Sequence, residues 1–120
     1  MRIAVASNLP VLNAPVGRRL TRSKYLLIID INTMKSEAIA NPFILIKGPA
    51  AWKLFAHELL QEKVSKIIAA NCSSKISKSL GSVGIQVISG LSGTVLSVVK
   101  QFKEMCMADT IIFPDESTKD

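Results

Sequence analysis

Cationic residues that could bind an anion are concentrated near the start of this 120-residue chain. A basic segment, residues 17–24, contains three arginines and a lysine, at Arg18, Arg19, Arg22 and Lys24. The first acidic residue is Asp30, so no nearby carboxylate neutralises the segment in sequence. Uneven positive charge of this kind favours an anionic partner. Solvated surface cations on a small basic protein would give the same pattern, and that interpretation stays open.

Cys72 is the candidate metal ligand. It lies between an apolar stretch and Ser73-Ser74, where a helix capped by Ser74 is predicted to begin, and Lys75 and Lys78 follow. A helix N-terminus and nearby cations lower the pKa of a thiol, which would favour coordination of a soft metal or cluster. Free cysteines are also common as small buried apolar residues, so packing remains the alternative. Cys106, at the other end of its helix, is expected to pack.

A glycine-containing loop, Ser89–Thr94, is the third candidate. It connects a predicted strand to the last helix, so free backbone N–H groups and the helix dipole could bind an anion there. The loop is neither a Walker A motif nor a complete GxGxxG, and no nucleotide specificity follows. The glycines could equally serve only the turn, with Ser92 or Thr94 as the helix cap.

The sequence gives little support for a catalytic site. His57 is the only histidine and is expected on the polar face of a helix, without a cysteine or serine at an interpretable spacing. Two-metal hydrolysis needs clustered carboxylates, whereas Asp30 and Glu37 lie at separate places in one hairpin. The two cysteines form neither a CxxC motif nor a disulfide framework. We expect a protein that is not an enzyme.

The elements that must position these residues begin with the strand Arg2–Ser7. Ile3–Ala6 is apolar without alternation, which indicates a central strand covered on both faces. Residues 43–49 are predicted to be a loop. Further strands are predicted at residues 25–31, 36–40, 66–70 and 85–88, and helices at 50–63, 74–80 and from the 89–94 loop to 108–109.

The connections predict an α/β fold. Three strands joined without helices should be antiparallel, and the helical crossovers should place the fourth and fifth strands parallel to the first. The result is a five-stranded mixed sheet with helices on both faces, in one domain over residues 1–108. Residues 109–120 are expected to form a tail, with a short edge strand at 110–114 and then disorder. Five connections would meet at one edge of the sheet, at residues 7–8, 17–24, 41–49, 71–74 and 89–94.

Composition sets the broad class of protein. The chain is 48% hydrophobic, has a mean hydropathy of +0.33 and carries a net charge of +6. No apolar run reaches the roughly 18 residues that span a membrane, and the N-terminus lacks a signal-peptide pattern. We therefore expect a cytoplasmic protein that does not enter membranes and whose thiols stay reduced.

The order of these pieces resembles the dinitrogenase iron–molybdenum cofactor-binding family of small NifX-like domains, over about residues 2–105. The motifs that carry the resemblance are a strand ending in Ala6-Ser7, the pair Pro15-Val16, the strand from Tyr25, Asn41-Pro42, Ile67–Asn71 and the stretch Gly90–Val95. Many relatives have His-Phe where this chain has Arg19-Leu20, and a glycine-rich stretch where it has Lys47–Ala50.

The resemblance implies a ribonuclease H-like sheet and a nitrogen fixation-related carrier. Such a protein would hold an anionic iron–sulfur or iron–molybdenum-type cofactor, or its precursor, and would exchange it with a donor or recipient protein. The alternative is an RNA-binding or protein-interaction module that uses the basic segment; aromatic content of only 5% argues against nucleic acid. Together with Cys72 as metal ligand, the predicted cofactor-binding residues are Ser7, Asn8, Arg18, Arg19, Arg22, Asn71, Ser73, Ser74, Gly90, Ser92, Gly93 and Thr94.

Overall fold

The strand β1 (Arg2–Ser7) lies at the centre of a five-stranded sheet. Its residues from Ile3 to Ser7 are fully buried, as the continuous apolar run predicts. The protein is described here from a computed structural model that covers residues 1–45 and 49–112, except for the side chains of residues 45, 49–51 and 106–112.

The other strands flank β1 in the order β3-β2-β1-β4-β5. Their bounds are Tyr25–Asp30 for β2, Ser36–Ala40 for β3, Val64–Ile68 for β4 and Gln86–Ile88 for β5. β1, β2 and β3 pair antiparallel, whereas β4 runs parallel to β1 and β5 runs parallel to β4. The prediction of a mixed α/β sheet is therefore confirmed. β4 begins and ends two residues earlier than predicted, and β2 and β5 are each one residue shorter.

Helices cover both faces of the sheet. α2 (Pro49–Gln61) and α3 (Ser74–Gly81) pack on the face that presents Ala4 and Ala6 of β1. α4 (Val95–Ile112) packs on the opposite face, against Ile3 and Val5. Because successive side chains of a strand point to opposite faces, every apolar residue of β1 belongs to one core or the other.

The predicted loop at residues 43–49 is wrong in its first part. Pro42–Leu45 form a short helix, α1, and residues 46–48 lie outside the described part of the chain. Phe43 is buried in the core and packs edge-to-face against Phe55 of α2, with ring centroids 6.0 Å apart and an interplanar angle of 71°. Burial of this ring explains why an apolar segment that lacks a clear period becomes ordered.

The helix ends also differ from the predictions. α2 begins one residue and ends two residues earlier than predicted, and α3 ends one residue later. Ser73, and not Ser74, caps α3, because its Oγ accepts a hydrogen bond from the N–H of Ile76 at 3.3 Å. α4 continues to Ile112, so residues 110–112 are helical and do not form the predicted edge strand. The predicted tail from residue 113 onward lies outside the described residues. Over the part of the chain that is described, none of the helices is long and apolar enough to cross a membrane.

Candidate functional site

Two adjoining cavities open at the edge of the sheet where the predicted loops meet. One has a volume of about 600 Å³ and the other about 440 Å³, both within the size range of small-ligand sites. They share Arg19 and Asn71, and we call the pair the basic cleft. The first cavity is lined by Arg19, Leu20, Thr21, Asn71, Cys72, Ser73 and Ile76. The second is lined by Asn8, Arg18, Arg19, Arg22, Ser23 and Asn71.

The start of the basic segment is held between the ends of β1 and β4. Gly17 donates its N–H to the carbonyl of Ala6 at 2.7 Å and accepts a hydrogen bond from the N–H of Ala70 at 3.0 Å. The carbonyl of Arg18 accepts from the N–H of Asn71 at 2.8 Å. These bonds continue the sheet into the loop and bring Arg18 and Arg19 beside Asn71. The structure therefore brings together three of the connections that were predicted to converge.

The rest of the basic segment contains a 3₁₀ turn, Leu20–Arg22, and is held by hydrogen bonds within the segment and to Asn8. The Oγ of Ser23 donates to the carbonyl of Arg19 at 2.7 Å, and the Oδ1 of Asn8 accepts from the N–H of Lys24 at 3.2 Å. Leu20 is buried, whereas Arg18, Arg19 and Arg22 are exposed. The backbone of the segment is thus fixed while its cationic side chains reach solvent.

Among the residues that the structure describes, no ion pair neutralises the positive charge of the basic cleft. None of the described residues that line the two cavities is acidic. The ion pairs formed within residues 1–45 and 49–112 join Arg2 to Glu37 and Glu62, and Arg2 lies at the start of β1, away from the cleft. An anion entering the cleft would therefore meet arginines that are not already paired.

Cys72 lines the larger cavity and is half-buried there. Burial raises the pKa of the Cys72 thiol above its ordinary value, and the side chain packs against the core beneath α2 and α3. The prediction that the start of α3 and the nearby lysines would lower this pKa is therefore wrong. Partial burial disfavours the charged thiolate at this position. Cys72 remains near enough to the cleft to contact a ligand.

The first turn of α4 follows the loop Ser89–Thr94, which was predicted to bind an anion. Its first N–H groups are used within the chain: Val95 donates to the carbonyl of Ala14 at 2.8 Å and Leu96 to that of Leu12 at 2.9 Å. Ser97 donates to the Oγ1 of Thr94 at 3.1 Å. These N–H groups of α4 are therefore not available to an anion, and Thr94 acts as the helix cap, whereas the binding role of Gly90, Ser92 and Gly93 stays a prediction. Gly90, Ser92, Gly93 and Thr94 do not line either cavity of the basic cleft.

Ser7 also has a structural role. It is fully buried, and its Oγ donates to the carbonyl of Leu9 at 2.7 Å and accepts from the N–H of the same residue at 3.2 Å. These bonds form the turn that follows β1. Of the remaining predicted binding residues, Asn8, Asn71 and Ser73 line the cleft with the arginines, and Ser74 follows at the start of α3.

Two positioning residues were not predicted as part of the site. Gly17 has no room for a side chain, because an added Cβ would collide with the Oγ of Ser23 and lie 2.9 Å from its Cβ. Asn41, at the end of β3, is fully buried and hydrogen-bonded to the 3₁₀ turn. The signals in the sequence were a glycine among cations and an Asn-Pro pair after a strand, but neither identifies its spatial partner.

The donor set suits an anion better than a bare metal ion. Among the described residues, no group of three or more His, Cys, Asp or Glu side chains could hold a metal ion. An anionic cluster could instead be held by the arginines and the amide of Asn71, with Cys72 as a soft ligand. The residues of the cleft therefore fit a cluster that carries its own negative charge.

Comparison with solved structures supports the fold. The apo form of the orange protein from Desulfovibrio gigas is 26% identical, with a TM-score of 0.73 over 87% of this chain and 88% of that one. A Thermotoga protein (TM1290), provisionally named NifB and placed in the DUF35 family, is 26% identical, with a TM-score of 0.66 over 86% and 87% of the two chains. The protein PH0822, at 20% identity, shares the fold with a TM-score of 0.70 over 88% and 92%.

Comparison of the sequence with protein families agrees with the motifs noted above. No curated protein matches the chain. The profile of the family described as "Dinitrogenase iron-molybdenum cofactor" matches residues 1–105, which is most of the chain. This protein therefore belongs to the dinitrogenase iron–molybdenum cofactor family.

Proposed function

We propose that the protein is a non-catalytic carrier or accessory protein that holds an anionic iron–sulfur or iron–molybdenum-type cofactor, or its precursor, in the basic cleft. Membership of the family associates the chain with such a cofactor. The single observation that carries the proposal is the set of exposed arginines, Arg18, Arg19 and Arg22, in a cleft where none of the described lining residues is acidic. A donor or recipient protein would exchange the cofactor at this edge.

The chemistry of the cleft supports binding more than catalysis. The Cys72 thiol, whose pKa is raised by burial, is a weak nucleophile at neutral pH. His57 is exposed on α2 and does not line either cavity. The bound cluster would supply the metal chemistry, and this chain would attract, hold and release it. We also infer a ribonuclease H-like sheet, which the three antiparallel strands followed by two parallel strands support.

The test is an anaerobic titration with tetrathiomolybdate, a molybdenum–sulfur dianion whose charge-transfer absorption reports its surroundings. The wild type should bind it, and the triple variant Arg18→Ala, Arg19→Ala, Arg22→Ala should bind about 100-fold more weakly. That factor corresponds to about 1 kcal/mol for each exposed cation removed. The stability of the variant should change by only about 0.5 kcal/mol per site, because these side chains are exposed.

A matched control removes the same charge elsewhere. Lys35, Lys100 and Lys103 are exposed and do not line the cleft, so replacing all three with Ala should leave tetrathiomolybdate binding within about 3-fold of the wild type. An equal loss in both triple variants would show that only the net charge matters. Absence of binding to tetrathiomolybdate, combined with salt-sensitive binding of RNA, would favour the RNA-binding alternative.

A further inference from the structure

The amide of Asn41 connects the end of β3 to the 3₁₀ turn that carries the arginines. Its Nδ2 donates to the carbonyl of Leu20 at 2.6 Å and to that of Ser23 at 2.8 Å. Its Oδ1 accepts from the N–H of Phe43 at 3.0 Å, and its own N–H donates to the carbonyl of Lys24 at 3.0 Å. Because Asn41 is fully buried, each of these groups would be left unsatisfied if its partner moved.

The turn depends on such outside support. It has only three residues, and the side chain of Arg19 forms no cap at its start. Asn41 binds a carbonyl within the turn and another just after it, so both ends of Leu20–Ser23 are tied to one side chain. Asn41 is itself held by α1, where the buried ring of Phe43 packs against Phe55 of α2.

We propose that Asn41 is a positioning residue for the basic cleft, and that its amide keeps the basic segment in the conformation that binds an anion. This inference rests on the proposed function. Arginine side chains on a fixed backbone lose less freedom on binding than those on a mobile loop. Only an amide can meet the requirement, because the position needs two donors towards carbonyls and one acceptor towards an N–H.

The perturbation is Asn41→Asp, which keeps the shape and the acceptor but replaces both donors with a carboxylate oxygen. The variant should bind tetrathiomolybdate about 10-fold more weakly at pH 8. Backbone amides of residues 22–24 should exchange hydrogen faster, while those of Ile67 and Ile68 in β4 should keep their protection. Asn41→Ala, which removes the donors without adding charge, serves as the second variant if the first does not fold.

Two controls separate positioning from general destabilisation. Val99→Ala creates a cavity in the core on the opposite face of the sheet; it should lower stability without changing the affinity or the exchange of residues 22–24. In addition, Asn41→Asp should have little further effect on binding in the variant that already lacks the three arginines, because the amide acts through them. A full 10-fold loss in that background would overturn the proposal.

The remaining outcomes are also decisive. Unchanged affinity and unchanged exchange in both Asn41 variants would refute the role of the amide. If the wild type binds no tetrathiomolybdate, the proposed function fails for this class of anion, and hydrogen exchange alone decides whether Asn41 fixes the segment. Faster exchange confined to residues 22–24 would then support the positioning role, and unchanged exchange would overturn it.

Discussion

The contact between Gly17 and Ser23 gives the sharpest prediction for this fold. In Gly17→Ala, the new Cβ would collide with the Oγ of Ser23 and lie 3.2 Å from the carbonyl carbon of Ala6. Ala6 belongs to the fully buried central strand and cannot easily move. Rotation of the Ser23 side chain would move its Oγ but not its Cβ, so the backbone of Ser23 must shift as well, and the hydrogen bond from Ser23 to the carbonyl of Arg19 breaks.

The expected change in the stability of Gly17→Ala is the sum of three contributions. Overpacking costs about 1–3 kcal/mol, and the lost hydrogen bond costs about 0.5–1.5 kcal/mol. Replacing glycine with alanine also reduces the conformational freedom of the unfolded chain, which stabilises the folded state by about 0.4–1 kcal/mol and offsets part of this loss. With the middle of each range, the free energy of unfolding of Gly17→Ala should fall by about 2–3 kcal/mol. For a domain of this length that corresponds to a decrease in Tm of about 6–12 °C.

Denaturant and thermal unfolding of the wild type and four variants test this reasoning. The control is Gly81→Ala, because a Cβ at Gly81 meets nothing within 4 Å and alanine favours the helix in which it lies. Gly81→Ala should be neutral or stabilising by up to about 1 kcal/mol. In a Ser23→Gly background the cost of Gly17→Ala should fall to about 1 kcal/mol or less, since the main obstacle is gone. Equal costs in both backgrounds would refute the steric explanation.

Three further perturbations test other parts of the structure. Phe43→Ala should lower the free energy of unfolding by about 3–4 kcal/mol in denaturant unfolding, whereas Leu54→Ala, at a side chain that is 69% exposed, should change it by at most about 0.5 kcal/mol. Lys63→Gly should raise the Tm, because Lys63 has a φ of 65° and relief of that strain should contribute about 0.5–1 kcal/mol. Because the pKa of Cys72 is raised in the folded state, its labelling by a thiol reagent should be slow at pH 7 and should accelerate as the pH rises. The same shift means that its contribution to stability is present below the pKa of an unfolded thiol and is lost as the pH rises through the folded value. Fast labelling at pH 7 would contradict that shift.

The strand order could be predicted because connectivity alone restricts it. Strands joined by short turns must be antiparallel, and the helical crossover between β3 and β4 allows β4 to pair parallel with β1. The unbroken apolar run of β1 identified the central strand, since each of its faces contacts a separate core. Convergence of the loops at one edge then followed from geometry, without knowledge of any side-chain contact.

The chemistry of individual groups could not be predicted in the same way. Whether a helix N-terminus binds an anion depends on which groups approach it, and here the carbonyls of Leu12 and Ala14 occupy the donors of α4. The pKa of Cys72 is raised by desolvation, because its side chain is partly buried against the core, and local sequence does not reveal that burial. The sequence did not predict α1, because four residues are too few to show a helical period.

The arrangement of the basic cleft separates the groups that carry charge from those that hold the backbone. Gly17, Ser23 and Asn41 are uncharged and buried, and together they fix the path of residues 17–24. Among the described residues, none of the arginines that line the cleft forms an ion pair. Had a carboxylate fastened the segment, part of the positive charge would have been neutralised before any ligand arrived. Because uncharged polar groups hold the backbone of the segment, the positive charge of Arg18, Arg19 and Arg22 remains available to an anion. The cleft can therefore attract an anionic cluster to which the protein offers few direct metal ligands.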